Sequence, residues 1–546
     1  MADTTKIVQF IDNSGGVQTP LYPKSEAEFI SVERLNEKIP TDVETMQDVI
    51  DALGSLAFMD EYEDPTTPTN PPDPVTNFVA VGGNQCVKLT WDDPEDNISD
   101  SGVWASTVIV RKTGSYPSSV SDGTIVTTSY LKDQYKITPY TDSGLVNGIT
   151  YYYRAFTCSV DDIYNESDIV QASAKPATFK TMTVVIDLTD SNPETCGSYA
   201  DDAVGMESGR DVEEWKKFFG YRPCLLKDGV VNGYLKDTNY AQYESGGSAD
   251  ITSGNSGDVM IEFPRRGVKI VTAGDTLTIS MTEDPDNSEF TYYAHMRGTA
   301  RKENFYVGAY LCGDTMTSIS GVRIRSSRTF QEIKEELGST RPSGYQLMTF
   351  YQWTYLQVMY LLQFRGNFNV EKTNGIGGCL YNVSGGYLGT EVTGNYDKYG
   401  LFYGLFTQAY RSKLFGIEDL YGTEEQLLDG IIKSDVKPSV YLGTDNFSTD
   451  GQPNLSYSEY SNTMPEYMNG FITETFASSE LGFIPKTANP GSGTTYYCDY
   501  VSSFDGYTVY TVGYIRSAYP DGYSGMFAVQ IRLSTAVSCI ARISYY

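Results

Sequence analysis

At 546 residues the chain is too long for a single hydrophobic core, which predicts several domains. Its 70 acidic and 40 basic residues give a formal net charge of −30, and a field of that sign argues against nucleic acid and anionic membrane surfaces as partners. The 51 glycines and 44 tyrosines favour a mainly β chain with many turns.

The eight cysteines contain no CxxC pair, and the opening MADTTKIVQF lacks the basic and apolar regions of a secretory signal. We therefore expect synthesis in the cytosol and mostly reduced, buried thiols, with a pairing of Cys498 and Cys539 left open. Polar residues interrupt the most apolar long stretch, 346–364, which indicates a buried helix rather than a membrane span.

Residues 1–65 are predicted to form a small α/β unit. VQFIDNSGG fits a short strand and turn, and VETMQDVIDALGSLAFMDEY carries an apolar helical face. Self-association, docking onto a larger particle or packing within its own small domain would each cover that face. Residues 66–75, inside the proline-rich run DPTTPTNPPDPV, predict a semi-rigid linker and the clearest domain boundary.

Residues 76–176 are expected to form a β-sandwich. Short alternating runs are separated by turn clusters: CVKLTW (86–91), STVIVRK (106–112), YKITPY (135–140) and YYYRAFT (151–157). The segment LVNGITYYYRAF, with Leu145, Gly148 and Tyr151, resembles the corner of fibronectin type III modules, and Trp91 stands where they have a core tryptophan. The resemblance implies a Tyr151 hydroxyl bonded to the upstream backbone and a domain that acts as a spacer.

Residues 177–546 combine few helices with many strands, which favours an α+β arrangement. Helical spacing marks 210–220, with Gly220 as the stop, and also 327–338 and 346–364. Strand patterns mark 181–190, and the runs 258–270 and 276–284 are expected to pair with each other.

Motifs for catalysis are mostly missing. His295 is the one histidine, so any mechanism with a histidine base must use it, although a lone histidine in an apparent strand is more often structural. No HExxH, GxSxG or Walker-type loop occurs. The acidic pairs Asp201–Asp202 and Glu213–Glu214 fit solvated faces better than a matched acid and base.

One segment has a metal-like composition, TDNFSTDGQPN (444–454). Asp445, Asn446, Asp450 and Asn454 could offer oxygen ligands, but their spacing does not match an EF-hand loop. Because aspartate, asparagine and glycine often build turns, an ordinary turn explains the segment better, and we expect no metal and no cofactor.

Seven blocks of the C-terminal region carry a family resemblance: GYRPCLLKDG (220–229), DITSGNSGDVMIEFPRRGVKI (250–270), TFYQWTYLQVMYLLQF (349–364), LFGIEDLYG (414–422), GFIPK (482–486), TYYCDYV (495–501) and SGMFAVQIRLS…ARISYY (524–546). In this order they resemble the C-type-lectin-like domains related to formylglycine-generating enzymes, which occur as variable receptor-binding proteins of phage diversity-generating retroelements. The resemblance covers roughly residues 180–546. It implies a rigid scaffold whose final strands and loops display a recognition surface.

In such relatives the tail reads VGGxW…DGxxAGxF and closes on Gly-x-Arg-Leu, where this chain has VGYIRSAYPDGYSGMF, AVQIRLSTAVSC and IARI. The resemblance implies that Gly513, Gly522, Gly525 and Phe527 keep the scaffold. It assigns ligand binding to positions that vary among relatives and to alternate positions of the next strand: Tyr514, Ile515, Arg516, Ser517, Tyr519, Asp521, Tyr523, Gln530, Arg532 and Ser534. Aromatic anchors with adaptable polar groups suit recognition, and a solvated loop is the alternative.

The chain also departs from these relatives. They carry Phe-Trp-Gly-Asn where this chain has Leu420, Tyr421, Gly422 and Thr423, so that corner is expected to pack differently. The reactive cysteine pair of the oxygen-dependent enzymes is missing as well, because no cysteine lies between Cys498 and Cys539. Without that pair the copper–thiolate chemistry is lost, and a protein that is not an enzyme is expected.

Together these features predict a multidomain, mainly β tail or head fibre of a virion, made in the host cytoplasm. Residues 1–65 would bind other virion proteins and form a homo-oligomer, a trimer by analogy with phage fibres. Residues 177–546 would bind a host-surface protein or glycan multivalently, without nucleic acid or membrane insertion. A structural decoration with a vestigial lectin fold is the alternative, and an enzyme of formylglycine-generating type is a more distant one.

Overall fold

The computed structural model describes residues 70–95, 102–166, 169–325, 328–377, 392–407, 411–422, 426–434, 439–461, 463, 468–489, 495, 497–502, 510–515, 525–527, 529–533 and 540–546. The predicted attachment unit 1–65 and the first part of the linker 66–75 lie outside these residues. The described chain divides into two compact units, of which the second contains Ala174–Tyr546 together with Val81–Lys88 and Thr141–Thr150.

Seven strands are described between residues 70 and 180: β1 (Thr76–Gly83), β2 (Cys86–Asp92), β3 (Trp104–Thr113), β4 (Thr124–Ser129), β5 (Tyr140–Ser143), β6 (Tyr151–Ser159) and β7 (Val170–Ala174). They form a three-stranded sheet in the order β1-β2-β5 and a four-stranded sheet in the order β4-β3-β6-β7. Strand β2 alternates as its sequence predicts, with Val87, Leu89 and Trp91 fully buried between more exposed neighbours.

The run 135–140 was expected to be a strand, and this expectation is wrong for all but its last residue. Residues 135–139 form turns and bends, and only Tyr140 enters β5. Ile137 is 89% exposed, so the alternation that suggested a strand has no core to face, and Pro139 has no N–H group to donate to a ladder.

The corner residues suit the proposed turn. Leu145 and Tyr151 are buried, and Gly148 has a φ of 86°, a left-handed conformation that glycine adopts without strain. Assignment of residues 76–176 to the fibronectin type III family stays a prediction.

The first half of the second unit runs through twelve strands and four α-helices among the described residues: β8 (Thr181–Asp187), β9 (Gly197–Asp201), α1 (Glu213–Phe219), β10 (Arg222–Lys227), β11 (Val230–Lys236), β12 (Asn239–Tyr243), β13 (Asp258–Pro264), β14 (Gly267–Ala273), β15 (Thr276–Thr282), β16 (Met296–Arg297), β17 (Ala300–Arg301), β18 (Asn304–Gly308), α2 (Phe330–Thr340), β19 (Tyr345–Leu347), α3 (Phe350–Gln363) and α4 (Val370–Thr373). Short strands continue to the C-terminus: β20 (Lys413–Leu414), β21 (Ile417–Glu418), β22 (Gln426–Ser434), β23 (Ser439–Gly443), β24 (Tyr457–Ser461), β25 (Asn469–Thr475), β26 (Pro485–Asn489), β27 (Tyr500–Ser502), β28 (Tyr510–Ile515), β29 (Val529–Leu533) and β30 (Ile543–Tyr545).

Four sheets organise this unit. The orders are β12-β11-β10-β13-β18-β30-β19, β14-β15-β8-β9, β24-β23-β22-β28-β29 and β26-β25-β27, and β16-β17 and β20-β21 add two short hairpins. The last strand, β30, pairs antiparallel with both β18 and β19, so the C-terminal residues lie inside the seven-stranded sheet. The prediction of a mainly β chain is confirmed.

Three helices occur where the sequence predicts them. The helix α3 is buried along its whole length, and a capping box between Thr349 and Gln352 sets its start. It begins later than expected, because residues 345–347 form β19. Gly220 ends α1 in a left-handed conformation, which confirms the predicted stop, whereas α2 continues past Gly338 to Thr340.

The expected pairing of 258–270 with 276–284 is half right. Strand β14 pairs with β15 as predicted, but β13 pairs with β10 and β18 in the seven-stranded sheet. Residues 258–270 therefore form two strands that belong to different sheets, and Arg265 and Arg266 lie between them. Pro264 ends β13, since it has no N–H group with which to extend the ladder.

The described cysteines form no disulfide with one another, and five of these six residues are buried. Cys539, the partner suggested for Cys498, lies outside the described residues. None of the described helices is long and apolar enough to span a membrane.

Candidate functional site

The strands β28 and β29 form an antiparallel ladder at one edge of the five-stranded sheet. Tyr514 is paired with Gln530, Val512 with Arg532 and Ile515 with Val529. Tyr514, Gln530 and Arg532 thus hold paired or alternate positions of this ladder, and Ile515 is the next position along β28. Four of the ten predicted binding residues thus fall on this ladder. Six lie outside the described residues: Arg516, Ser517, Tyr519, Asp521, Tyr523 and Ser534.

The neighbouring strand of this ladder is β22, which pairs with β28 at Leu427, opposite Tyr514, and again at Ile432, opposite Val512. An irregularity in the register separates the two contacts. Every residue of β22 is buried, although its sequence, QLLDGIIKS, contains an aspartate and a lysine. The candidate ladder is therefore hydrogen-bonded to a strand whose side chains are buried on both faces of the sheet.

Asp429, in the middle of β22, is held by a lysine from α2. Lys334 Nζ lies 2.8 Å and 2.9 Å from the two carboxylate oxygens, and Leu347 N donates to the same group at 3.1 Å. Both charged side chains are almost fully buried, with exposures of 7% and 2%. A buried carboxylate needs such partners, so this ion pair fixes β22 against α2 and β19.

Arg542 fixes the start of β22. Its Nε donates to Gln426 Oε1 at 2.8 Å, and its Nη atoms donate to the carbonyl oxygens of Gly308, Glu418 and Asp419 at 2.8–3.0 Å. The guanidinium is fully buried. One side chain thus links β18, β21 and β22, a geometry that the planar fork of arginine allows.

The same region holds a second arginine. Arg411 donates to the carboxylates of Glu418 and Asp419, and both of these residues are 1% exposed. Burial raises the pKa of Glu418 to about 7, although Arg411 opposes the shift. Burial also lowers the pKa of Arg542 to about 10, so that its guanidinium remains charged at neutral pH.

Residues Gly525–Phe527 form an anchor beyond the predicted binding loop. Phe527 is fully buried, with its ring centroid 4.7 Å from that of Phe368 and 5.4 Å from that of Phe483. Its backbone N–H donates to Asp499 Oδ2 at 2.6 Å, and a Cβ atom at Gly525 would collide with the same carboxylate. The burial of Phe527 and the close packing at Gly525 suit the scaffold role that the resemblance implies, whereas Gly522 lies outside the described residues.

His295 lies in the core at the end of a short 3₁₀ helix, Tyr293–His295, and not in a strand as its sequence suggested. It is fully buried, edge-on to the rings of Phe305 and Tyr355, and its Nε2 lies 3.4 Å from the carbonyl oxygen of Phe263. Burial lowers its pKa to about 3, so the ring is neutral at physiological pH. These contacts support the structural role that the sequence favours.

We expect His295→Gln to weaken the acid sensitivity of the fold. Between pH 6.5 and 3 the unfolded chain binds a proton that the folded chain refuses, so native stability falls as pH falls. Lowering the pH from 7 to 4 should therefore reduce the free energy of unfolding by about 3 kcal/mol less in the variant than in the wild type. Urea unfolding at both pH values measures this difference, and parallel pH profiles for the two proteins would refute it.

The segment 444–454 forms bends and irregular loops that side-chain hydrogen bonds hold in place. Asp450 accepts from Gln452 N and Ser448 Oγ, and Asn454 Nδ2 donates to the carbonyl oxygen of Asn446. Among the described residues, no group of three or more histidine, cysteine, aspartate or glutamate side chains could hold a metal ion.

Sequence reasoning missed the buried charges that fix β22. One signal could have found them, since a single charged residue within an apolar strand, such as Asp429 in QLLDGIIKS or Arg542 in ARISYY, requires a buried partner. The identity of that partner could not be read locally, because Lys334 lies far away in the chain.

Comparison with protein-family models, with curated proteins and with solved structures finds no match for this chain.

Proposed function

We propose that this chain is a virion-borne adhesin of a tailed bacteriophage, which binds a host-surface ligand through β28, β29 and the loop between them. The observation that carries the proposal is the fully buried strand β22, which is held by Lys334 and Arg542 and pairs directly with β28. A site on such a frame loses little conformational freedom when a ligand binds.

The two ends of the predicted binding loop also support this function. The predicted binding loop follows β28, which ends at Ile515, and precedes Gly525–Phe527, where Phe527 is buried against the rings of Phe368 and Phe483. Variable side chains can be exchanged between such fixed ends without disturbing the core. This is the physical requirement for a surface that recognises changing partners.

The remaining parts of the chain suit a fibre. Two sheets of three and four strands between residues 70 and 180 support a fibronectin type III spacer, and the α+β remainder supports a C-type-lectin-like domain. Residues 1–65 would attach the protein to the virion and assemble several copies. Several weak sites on one particle then act together through their effective concentration, with a host protein or glycan as partner.

The test is binding of the full chain to cells of the host strain. A variant with Tyr514, Arg516, Tyr519 and Tyr523 changed to alanine is expected to bind at least about tenfold more weakly, because aromatic and arginine side chains dominate recognition surfaces. A matched control changes Tyr130 and Leu131, which are 72% and 66% exposed in the first unit, to alanine and should bind like the wild type.

Equal binding by the quadruple variant and the wild type, with both proteins folded, would remove the proposed site. Absence of binding by the wild type would instead favour a structural decoration of the virion.

A further inference from the structure

The four-stranded sheet β14-β15-β8-β9 has one apolar and one polar face. Ile270, Ile279 and Val184 point into the core, whereas the alternate positions form the outer face. Across that outer face Lys269 is paired with Ser280 and Ser280 with Thr183. Thr278 on this face is half-buried, whereas Ser280 and Thr183 are 7% and 3% exposed, so their hydroxyl groups lie at the base of the face.

A groove of about 570 Å³ lies on this face. It is lined by Thr278 and Ser280 of β15, by Asn287, Glu289 and Phe290 after that strand, and by Asp201 and Asp202 at the end of β9. This volume lies within the range of about 300–1,000 Å³ that is common for sites of small ligands.

The polar groups of the groove are held in place before any ligand arrives. The Thr183 hydroxyl donates to Asp201 Oδ2 at 2.6 Å and lies 2.8 Å from Ser280 Oγ, and Thr181 N donates to Asp202 Oδ2 at 2.8 Å. Each carboxylate keeps a second oxygen with which to accept further hydrogen bonds.

The lining is rich in acceptors and poor in donors. Three carboxylates, of Asp201, Asp202 and Glu289, face one cation, and that cation, Lys269, already pairs with Glu289 at 2.9 Å. A complementary ligand therefore brings many donors and carries no negative charge. The half-buried ring of Phe290 adds an apolar surface on which the C–H face of a ring can stack.

We propose that this groove binds a saccharide that is rich in hydroxyl and amino groups and carries no acid group. A peptide strand fits less well, because the backbone groups of β8 and β15 are already paired within the sheet and the face offers only side chains. The inference does not depend on the proposed function, since it concerns residues 181–290 rather than 514–534.

The test is calorimetric titration of the full chain with four defined probes: a glucosamine tetrasaccharide, maltotetraose, a galacturonic acid tetrasaccharide and tetralysine. We expect the glucosamine tetrasaccharide to bind best, maltotetraose more weakly, and the acidic saccharide not at all. Tetralysine should bind at least about tenfold more weakly than the glucosamine tetrasaccharide, since charge alone does not supply the stacked ring or the hydroxyl contacts.

Two variants localise the binding. Phe290→Leu keeps the apolar volume but removes the aromatic face, and Asp202→Asn removes one charge, so each should weaken the glucosamine tetrasaccharide about fivefold to tenfold. Glu335→Gln, on the exposed side of α2, is the control and should bind like the wild type.

Three results would overturn the proposal. They are no binding of either non-acidic saccharide below about 10 mM, binding that neither groove variant weakens, and binding of tetralysine as tight as that of the glucosamine tetrasaccharide.

Discussion

Replacing Arg542 with alanine is expected to lower the free energy of unfolding by about 3–5 kcal/mol, the usual cost of breaking a buried charged contact. The guanidinium donates to Gln426 Oε1 and to the carbonyl oxygens of Gly308, Glu418 and Asp419. Alanine would leave these buried acceptors unsatisfied and remove a cation from a group of buried carboxylates. Denaturant unfolding followed by tryptophan fluorescence measures the loss, since Trp215 and Trp353 are fully buried in the same unit.

Two further substitutions give this measurement its controls. Arg542→Lys keeps the charge but loses the planar guanidinium group. Its free energy of unfolding should therefore lie between those of Arg542→Ala and the wild type. Arg222→Ala removes an arginine whose side chain is 40% exposed and pairs with Glu244, and it should cost less than about 1 kcal/mol. An Arg542→Ala loss no greater than that of Arg222→Ala would show that the buried links between β18, β21 and β22 are not needed for stability.

Phe527→Ala is expected to lower the free energy of unfolding by a similar amount, about 3–5 kcal/mol, because it leaves a cavity in the core. The ring is fully buried against the rings of Tyr360, Phe368 and Phe483. The substitution also releases the far end of the predicted binding loop. We therefore expect cell binding to fall in this variant at temperatures where the remaining core is still folded.

Phe527→Leu is the control that keeps a large apolar side chain at this buried position. Leucine fills most of the volume, so the variant should lose less than about 1.5 kcal/mol and keep its binding. The anchor would be rejected if Phe527→Ala unfolded at the same denaturant concentration as the wild type, or if it bound host cells equally well.

Features that depend on nearby residues could be predicted from the sequence. The buried helix α3 follows from a long apolar run with a capping threonine, and the stop of α1 follows from Gly220, which adopts a φ of 71°. The alternation of β2 correctly marks Trp91 as core. In each case the signal lies within a few residues of the feature.

Long-range pairings could not be predicted in this way. The run 258–270 looks like one long strand, yet its two halves enter different sheets, because the partners of each half are chosen by packing elsewhere in the chain. The insertion of β30 between β18 and β19 is equally non-local. So is the pairing of Lys334 with Asp429, since a sequence indicates that a buried charge needs a partner but not which residue it is.

The candidate site was found by resemblance rather than by local physics. The resemblance marks Tyr514 and Gln530 separately, and the register shows that they are direct partners. It does not reveal that β22, which pairs with β28 in the same sheet, is completely buried and is contacted by the cationic side chains of Lys334 and Arg542. On the proposed function, the fold would supply the stiffness and the side chains at the predicted positions would select the ligand.

Hydrogen–deuterium exchange of the full chain, alone and bound to envelope fragments of host cells, tests the central claim most directly. The account predicts that the ligand slows amide exchange in peptides from residues 510–534 and leaves β18, β22 and α3 unchanged, since they form the frame. Slowed exchange confined to other parts of the chain, or no change on binding, would contradict a recognition surface on β28, β29 and their loop.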